Sequence, residues 1–422
     1  MHSTELEQQL RNKGWSDRLS LYSAYFDYVH YLNPVTQPKL TVVVISWRLH
    51  PDTITNFMIL DKQRVSQNFE LIFVDNGGQA DEFSSLLPYI NTYVRLNENT
   101  GAYLARNVGA VFCQSTNILF LEDDGIPDDQ LIESYLMVHR KYDAYAVQGV
   151  YLEKTNTLLN YRQSHYYSGN KFFPKCSNLE GNTSYLASVF FEVGGWDDEI
   201  NFGGGGRELS LRIYNRYPEY HKQIYSPISL IYHDYASSEE HLQSKKLKQM
   251  ISFERLADKY DNWYSFAADW KVFQGNEGLL EIRTEWSSNE EEQFRTLYDQ
   301  ITLRNSYRIK AYEEIRVSLY DLPRLNDLID VQHSSQKICI FGAGAFGELF
   351  CDILQLNDLR IDCFSDNNES LWNTEKKGIP IISPSELTRN YFVFIASVWS
   401  YEIGQQLVEV GLDSSVNYIV VY

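Results

Sequence analysis

Three adjacent carboxylates follow a short apolar segment in the first half of the chain. Residues 118–121 are four apolar residues in a row, which is typical of a buried strand, and Glu122, Asp123 and Asp124 come directly after them. Acids this close repel one another, and a hard divalent cation that also binds a phosphate relieves that repulsion. The pattern indicates metal-assisted chemistry on a phosphate-bearing substrate. A solvated acidic loop is the simpler alternative.

Composition excludes several classes of function. The 422 residues leave room for two or three domains, and a hydrophobic share of 44% is ordinary for a globular protein. The net charge of -19 argues against nucleic acid as a partner and allows at most peripheral association with a membrane. Five cysteines without a CxxC pair, a polar N-terminus and the lack of a long apolar segment predict a cytoplasmic protein, at most at the inner face of the membrane.

The pattern of the chain predicts four parts. They are a helical extension at 1–38, an α/β domain at 39–236, a helical connector at 237–335 and a smaller α/β domain at 336–422. In the second part, β-branched segments alternate with segments of helical spacing, which indicates a mainly parallel sheet covered by helices. Ligands bind beyond the carboxyl ends of such strands, where Asp75 and the acidic cluster both fall. We therefore expect one cleft to hold both.

The connector carries charged residues around a regular set of apolar positions. Phe294, Leu297, Ile301, Ile315 and Leu319 mark one stripe of a long helix. A capping box of Ser288 and Glu291 is expected to begin it. A helical connector is favoured over a substrate-binding segment or a dimer seam, although a homo-oligomer stays open.

A glycine-rich turn follows a predicted strand near residue 341. Gly342, Gly344 and Gly347 form a GxGxxG pattern between strand and helix, and Asp366 ends the next strand. This context predicts a Rossmann-like domain in which the glycines would bind a nucleotide and Asp366 would bind a ribose hydroxyl. Tight packing of strand on helix is the alternative role for the glycines.

Residues 40–236 carry an ordered series of short motifs. They are VVVIS at 42–46, FVDNG at 73–77, NTG at 99–101, ARNVG at 105–109, LEDD at 121–124, VGGWD at 193–197, ELSLR at 208–212 and YH at 232–233. Each motif alone is unspecific. In this order the series resembles the family 2 glycosyltransferases of the GT-A fold, which has a Rossmann-like mixed sheet.

The resemblance implies a site for a nucleotide-sugar donor, with UDP as the expected nucleotide. Asp75 would bind the base, and LEDD looks like the DXD motif of the family with Glu122 at its first position, facing the ribose. Asp124 would hold Mn²⁺ or Mg²⁺ on the diphosphate, and His233 would complete that metal site. The remaining donor-binding residues are expected to be Ser46, Gly101, Arg106 and Asp123.

Inverting transfer also needs a base that takes a proton from the acceptor hydroxyl. The family usually supplies an acidic pair at the start of a helix, but Gly205 and Gly206 occupy those positions here. We expect Glu208 to be the base, with Asp197 and Asp198 in reserve. An exposed helix-start acid is the alternative for Glu208. Trp196 would stack on an acceptor sugar or pack in the core.

The sequence thus favours an inverting, metal-dependent hexosyltransferase acting on a glycan or lipid-linked glycan, as in surface polysaccharide synthesis. That acceptor class follows from the resemblance alone. Because the acidic pair is missing, a non-catalytic nucleotide-sugar binder stays open. The GxGxxG turn leaves a third alternative, an oxidoreductase or epimerase that uses an NAD-type cofactor in the C-terminal domain.

Overall fold

The computed structural model describes residues 21–79, 81–154, 166–200, 202–234, 238–397 and 399–422. The chain divides into two compact units, neither of which is continuous in sequence. The first unit comprises Met1–Asn156, Phe172–Ala267 and Glu277–Arg304. The second comprises Thr157–Lys171, Ala268–Asn276 and Asn305–Tyr422. The segment predicted as a connector is thus divided between the two units.

The first unit is built on one large sheet. Its strands are β1 (Phe26–Tyr31), β2 (Leu40–Ser46), β3 (Phe69–Asp75), β4 (Thr92–Leu96), β5 (Asn117–Leu121), β6 (Ile126–Pro127), β7 (Ala146–Leu152), β8 (Phe173–Pro174), β9 (Asn182–Leu186) and β10 (Gln223–Tyr232). They are ordered β1-β4-β3-β2-β5-β9-β7-β10-β6, and β8 pairs with β10. Strands β4, β3, β2 and β5 are mutually parallel, whereas β9 runs antiparallel to β5 and β7. The sheet is therefore mixed.

Eight α-helices begin in the described part of the first unit. They are α1 (Thr53–Gln63), α2 (Ala102–Ala110), α3 (Leu131–Tyr142), α4 (Ala187–Glu192), α5 (Gly205–Arg216), α6 (Glu239–Lys259), α7 (Trp263–Asp269) and α8 (Ser288–Arg304). Helix α7, the last of the unit's middle segment, continues two residues into the second unit. Helix α2 approaches β2 and β3 so closely that a Cβ on Gly109 would overlap Val43. Among the described residues, no helix combines the length and apolar character that crossing a bilayer requires.

Burial along the central strands explains where ligands can bind. Strand β3 is buried at every position, and β5 is likewise buried along its whole length. Continuous burial of this kind is typical of parallel strands covered by helices on both faces. Polar side chains therefore collect beyond the carboxyl ends of the strands, where Ser46, Asp75 and Glu122 lie.

Two predictions about helices are wrong. In the N-terminal extension, residues 1–20 lie outside the described part, and Phe26–Tyr31 is a strand that pairs antiparallel with Thr92–Leu96. Aromatic and β-branched residues fit a half-buried strand better than a helix. The long connector helix is two helices, α8 and α9 (Ser306–Ile315), because Asn305 between them departs from helical geometry. Leu319 lies beyond both.

The second unit has its own sheet. Its strands are β11 (Arg316–Val317), β12 (Lys337–Phe341), β13 (Cys363–Ser365), β14 (Glu375–Lys376), β15 (Ile379–Ile382), β16 (Tyr391–Ile395) and β17 (Tyr418–Val421). Its helices include α10 (Leu322–Asn326), α11 (Ala345–Leu356) and α12 (Ser400–Glu409). The strand order is β11-β17-β16-β12-β13-β15-β14. From β15 to β17 all neighbours are parallel, and that order is the 3-2-1-4-5 arrangement of doubly wound sheets.

Candidate functional site

The acidic cluster begins where β5 ends. Carboxylate oxygens of Glu122, Asp123 and Asp124 all lie within 4.8 Å of one another. The backbone here is fixed from two sides, since the Glu122 N–H donates to the Gly181 carbonyl at 2.9 Å and Asn56 Nδ2 donates to the Glu122 carbonyl at 2.9 Å. A Cβ on Gly181 would overlap the Glu122 carboxylate. The loop 178–181 is thus part of the same site.

Asp124 and His233 meet in this site. His233 Nε2 lies 3.1 Å from Asp124 Oδ1, and both side chains keep some exposure, 10% and 30%. His233 Nδ1 is buried, and no described residue forms a hydrogen bond with it. Burial opposes ionisation of Asp124, but the hydrogen bond and charge of His233 and the charge of Lys154 hold its pKa well below the usual range. An ionised carboxylate beside an imidazole nitrogen is a donor set that fits Mn²⁺ or Mg²⁺.

Asp123 binds Ser46. Its carboxylate accepts a hydrogen bond from Ser46 at the end of β2. Burial raises the pKa of Asp123 to about 7 against that hydrogen bond, and the charges of its two acidic neighbours add to the increase. Ser46 is itself buried. The hydrogen bond between Ser46 and Asp123 therefore joins the ends of β2 and β5.

Arg106 on α2 joins two acids. Its guanidinium lies 3.6 Å from Glu122 Oε1 and 3.8 Å from Glu180 Oε2. Although Arg106 is only 5% exposed, the side chain of Glu122 is 30% exposed and that of Glu180 is 19% exposed. Tyr151 Oη also donates to Glu122 Oε1, at 3.2 Å. The buried guanidinium thus places a positive charge between the two carboxylates.

Asp75 is buried, contrary to its expected contact with a nucleobase. Its carboxylate accepts hydrogen bonds from Tyr93 Oη at 2.6 Å, the Gly78 N–H at 2.7 Å and Arg95 Nη1 at 3.2 Å. With no exposed surface, the side chain fixes the turn after β3 instead of reaching a ligand. The neighbouring Asn76 plays a similar role.

Asn76 holds the loop that enters α2. Its Oδ1 accepts from the backbone and the hydroxyl of Thr100, both at 3.0 Å, and its Nδ2 donates to the Gly101 carbonyl at 3.2 Å. Gly101 is exposed and has a φ of 84°, a conformation that favours glycine. The FVDNG and NTG motifs therefore meet at the same edge of the sheet.

The expected bases Glu208 and Asp197 lie in buried ion pairs. Glu208 has no exposed side-chain surface, and its two oxygens accept from Arg212 Nε and Nη2, both at 2.7 Å. Tyr260 Oη adds a third hydrogen bond at 2.6 Å. Asp197 is 2% exposed and pairs with Lys259 Nζ at 2.7 Å. Both carboxylates are therefore buried and held by cationic partners.

Trp196 is a core residue and not an exposed stacking platform. It is 1% exposed, and its ring lies 5.2 Å from Phe120 and 5.7 Å from Tyr185, edge-on to both. Its backbone is held by Asn107, whose side chain donates to the Trp196 carbonyl at 2.8 Å. The VGGWD and ARNVG motifs are thus joined in the core.

The start of α5 has no room for side chains. A Cβ on Gly205 would overlap the ring of Tyr103, and one on Gly206 would lie 3.2 Å from the Asn178 backbone. Tyr103 Oη accepts from the Gly205 N–H at 3.3 Å. The glycines at these positions therefore allow α5 to pack against α2 and the 178–181 loop.

We expect Gly205→Ala to destabilise the first unit. Overpacking against Tyr103 should lower the free energy of unfolding by about 1–3 kcal/mol, measured by urea denaturation. Tyr103→Leu is the matched background because it removes the ring, and the two changes should be non-additive in a double-mutant cycle. Additive losses of unfolding free energy would show that contact with the Tyr103 ring does not cause the destabilisation by Gly205→Ala.

In the second unit, the residues predicted to bind a nucleotide meet at one turn. Gly342 has a φ of 112°, a Cβ on Gly347 would overlap the Gly342 carbonyl, and Gly344 has open space around it. Asp366 does not point at an open pocket, because its Oδ2 accepts from the Ala343 N–H at 2.7 Å. Lys376 Nζ donates to the Ala343 carbonyl. The turn is therefore partly closed by side chains of its own unit.

Sequence reasoning missed several residues of the first site. Lys154 Nζ donates to the Asp124 carbonyl at 3.0 Å and to Asp52 Oδ2 at 2.6 Å. Burial lowers the pKa of Lys245 on α6, against the charges of Glu122 and Asp124. Tyr151, Asn56 and Glu180 complete the missed set. None of these residues belongs to a recognisable motif.

Comparison with known proteins supports part of this description. Residues 60–196 match the sequence model of the family described as Glycosyl transferase family 2, and residues 334–416 match the one described as C2185-like, N-terminal. A search of curated proteins gave no match. The family match covers β3 to β9, the acidic cluster and Trp196. It supports glycosyl transfer from a nucleotide sugar as the general kind of reaction.

Two solved structures resemble the chain weakly. One is the mannosyltransferase PcManGT from Pyrobaculum calidifontis in complex with GDP-Man and Mn²⁺, at 11% identity and a TM-score of 0.40, covering 74% of this chain and 83% of that one. The other is S. aureus TarS 1–349 in complex with UDP-GlcNAc, at 12% identity and a TM-score of 0.38, covering 65% and 90%. Scores this low carry no argument about activity.

Proposed function

We propose that the first unit is an inverting, metal-dependent glycosyltransferase. It would move a hexosyl group from a nucleoside diphosphate sugar, UDP-linked in the simplest case, to a hydroxyl of a glycan or lipid-linked glycan in surface polysaccharide synthesis. The observation that carries this proposal is the pairing of Asp124 with His233 beside Glu122, at the end of β5. The family match over residues 60–196 supports it.

The arrangement of charges fits a diphosphate leaving group. A divalent cation held by Asp124 and His233 would offset the charge that develops on the departing diphosphate. Lys154 and Arg106 add fixed positive charge around the cluster. Glu122 remains exposed enough to accept a hydrogen bond from a ribose hydroxyl, while Arg106 and Tyr151 hold its carboxylate in place.

Ser46 and Asp123 act beneath this surface. Since the pKa of Asp123 is raised to about 7 by burial, the group holds a proton for part of the neutral range and limits the negative charge of the cluster. Its hydrogen bond with Ser46 joins the ends of β2 and β5. Both residues would position the donor site from below.

A non-catalytic nucleotide-sugar binder is the second candidate. The observation in its favour is that Glu208 and Asp197 are buried in ion pairs and cannot reach an acceptor. Such a protein would bind a donor without turnover. Release of nucleoside diphosphate over time from a nucleotide sugar therefore separates the two candidates.

A nucleotide in the second unit remains a proposal of its own. The open space at Gly344 would let a phosphate approach the N-terminus of α11, which favours anions. An NAD-type oxidoreductase or epimerase would also need Asp366 to release Ala343 and accept a ribose hydroxyl. Calorimetric titration with NAD⁺ and NADH tests this directly. If neither gives a heat of binding, the NAD-type cofactor is excluded from the proposal.

The first unit is tested by calorimetric titration with UDP, GDP and CDP, each with and without Mn²⁺. We expect one of them to bind at least ten-fold more tightly with the metal than without it. Hydrolysis of the matching nucleotide sugars, followed as nucleoside diphosphate release, would then identify the donor. No binding, or binding indifferent to Mn²⁺, would overturn the metal-dependent donor site.

A further inference from the structure

The N-terminus of α5 carries no acidic side chain of its own. Gly205 and Gly206 stand at its first two positions, and the first acid in the helix, Glu208, points away into its pair with Arg212. Neither glycine could be replaced by an acid without displacing Tyr103 or the backbone of residue 178. If a base acts at this end of the cleft, another element must supply it.

Glu180 supplies a carboxylate at that point. Its Oε1 accepts from the Gly206 N–H at 3.2 Å and from Tyr103 Oη at 2.7 Å, and its Oε2 lies 3.8 Å from Arg106. The side chain therefore comes from the 178–181 loop but ends at the first turn of α5.

The same loop borders the donor site. Gly181 follows Glu180 directly, and its carbonyl accepts from the Glu122 N–H at 2.9 Å. Arg106 lies between the carboxylates of Glu122 and Glu180 and contacts both. An acceptor hydroxyl placed opposite a donor held at Glu122 would thus lie within reach of Glu180.

We propose that Glu180 is the catalytic base, a role that rests on the proposed glycosyl transfer. Its Oε2, which faces Arg106 at 3.8 Å, takes the proton of the acceptor hydroxyl while the hydroxyl oxygen forms the bond to the anomeric carbon. The bond from the anomeric carbon to the diphosphate oxygen breaks, and the nucleoside diphosphate leaves with the electron pair. One bond forms as one breaks, so the anomeric configuration inverts.

Exposure and charge separate Glu180 from its competitors. The side chain of Glu180 is 19% exposed, against 0% for Glu208 and 2% for Asp197. Burial raises the pKa of Glu180, while the charge of Arg106 and the hydrogen bond from Tyr103 limit the increase. A carboxylate whose pKa moves toward neutrality is a better proton acceptor at neutral pH. Burial also raises the pKa of Asp198, to about 6, so Asp198 is the rival that the experiment has to test.

The test is Glu180→Gln in the full chain. Glutamine keeps the acceptor oxygen for Tyr103 and Gly206 but cannot take a proton. The probes are UDP or GDP binding with Mn²⁺, and nucleoside diphosphate release from UDP-glucose, UDP-N-acetylglucosamine and GDP-mannose with water as acceptor. We expect release to fall about 10²–10⁴-fold with nucleotide affinity changed less than three-fold. Glu254→Gln is the matched control, because Glu254 is an exposed glutamate on α6 of the same unit, and it should keep the wild-type rate.

The outcomes separate the two levels of the proposal. If the wild type binds no nucleotide and releases none, glycosyl transfer itself fails. If the wild type turns over and Glu180→Gln keeps its rate within three-fold, only the base assignment is overturned. Loss in Asp198→Asn instead of Glu180→Gln would transfer the role to Asp198. An unfolded Glu180→Gln is recognised by circular dichroism, and Glu180→Asp, which should retain measurable release, then decides.

Discussion

Asp124→Asn should abolish metal-dependent nucleotide binding and reduce turnover about 10³-fold. The carboxylate pairs with His233, and its replacement would remove the hard oxygen ligand of the proposed metal site and leave the imidazole beside a neutral amide. A bound metal ion contributes several kcal/mol to stabilising charge in the transition state, and about 4 kcal/mol corresponds to a thousand-fold in rate. Calorimetry with Mn²⁺ and a donor-release assay measure both effects.

Asp129→Asn is the matched control for this prediction. Asp129 is an exposed aspartate five positions further along the chain, beyond the short strand β6. Its replacement removes the same charge from the first unit and should leave binding and turnover within two-fold. Equal losses in the two variants would mean that net charge, and not a ligand at Asp124, controls nucleotide affinity.

Glu208→Gln is expected to lower stability by about 3–5 kcal/mol. The change leaves the guanidinium of Arg212 buried without its counter-ion, and removing one partner of a buried ion pair is strongly destabilising. Arg212 also donates to the carbonyls of Val193 and Gly195, so the loss should spread to the VGGWD segment. Urea denaturation followed by tryptophan fluorescence measures the free energy of unfolding.

The control here is Glu192→Gln. Glu192 pairs with Arg216, but the two side chains are 40% and 54% exposed, so the pair should contribute less than about 1 kcal/mol. A Glu208→Gln variant that keeps its stability and loses turnover would restore the original interpretation of Glu208 as the base. The stability and activity measurements together therefore decide whether Glu208 or Glu180 is the base.

Strand ends were predictable from sequence because their signal is local. Four apolar residues followed by acids located the end of β5, and the pairing of Asp124 with His233 brings together two residues that the sequence had grouped. Asp75 and Trp196 show what local patterns leave out. Their motifs indicated where along the chain these two residues lie. Whether a side chain contacts a ligand or the core depends on its burial, and burial depends on elements elsewhere in the chain.

Glu180 and the cap of α8 show two further reasons why the sequence alone did not predict the whole site and fold. Glu180 reaches Arg106 across 74 positions of sequence, through a loop without periodicity, so no window of residues could reveal it. At α8, Ser287–Glu290 and Ser288–Glu291 have the same spacing. The pair Ser287–Glu290 forms the cap, since Glu290 Oε2 accepts a hydrogen bond from the Ser287 N–H at 2.8 Å. Glu291 pairs with Lys141 instead. One residue of register is below what pattern alone resolves.

The discontinuity of the two units limits how the molecule can be cut. Tyr167 stacks on Tyr312 at 4.8 Å, and Arg316 Nη1 donates to the Tyr167 carbonyl at 2.9 Å, so a segment inserted in the first unit's sequence belongs to the second unit's core. Any fragment ending before residue 305 would leave Tyr167 without these partners, and any fragment starting there would lack it. Biochemical dissection of this chain therefore calls for point substitutions or for co-expression of complementary pieces.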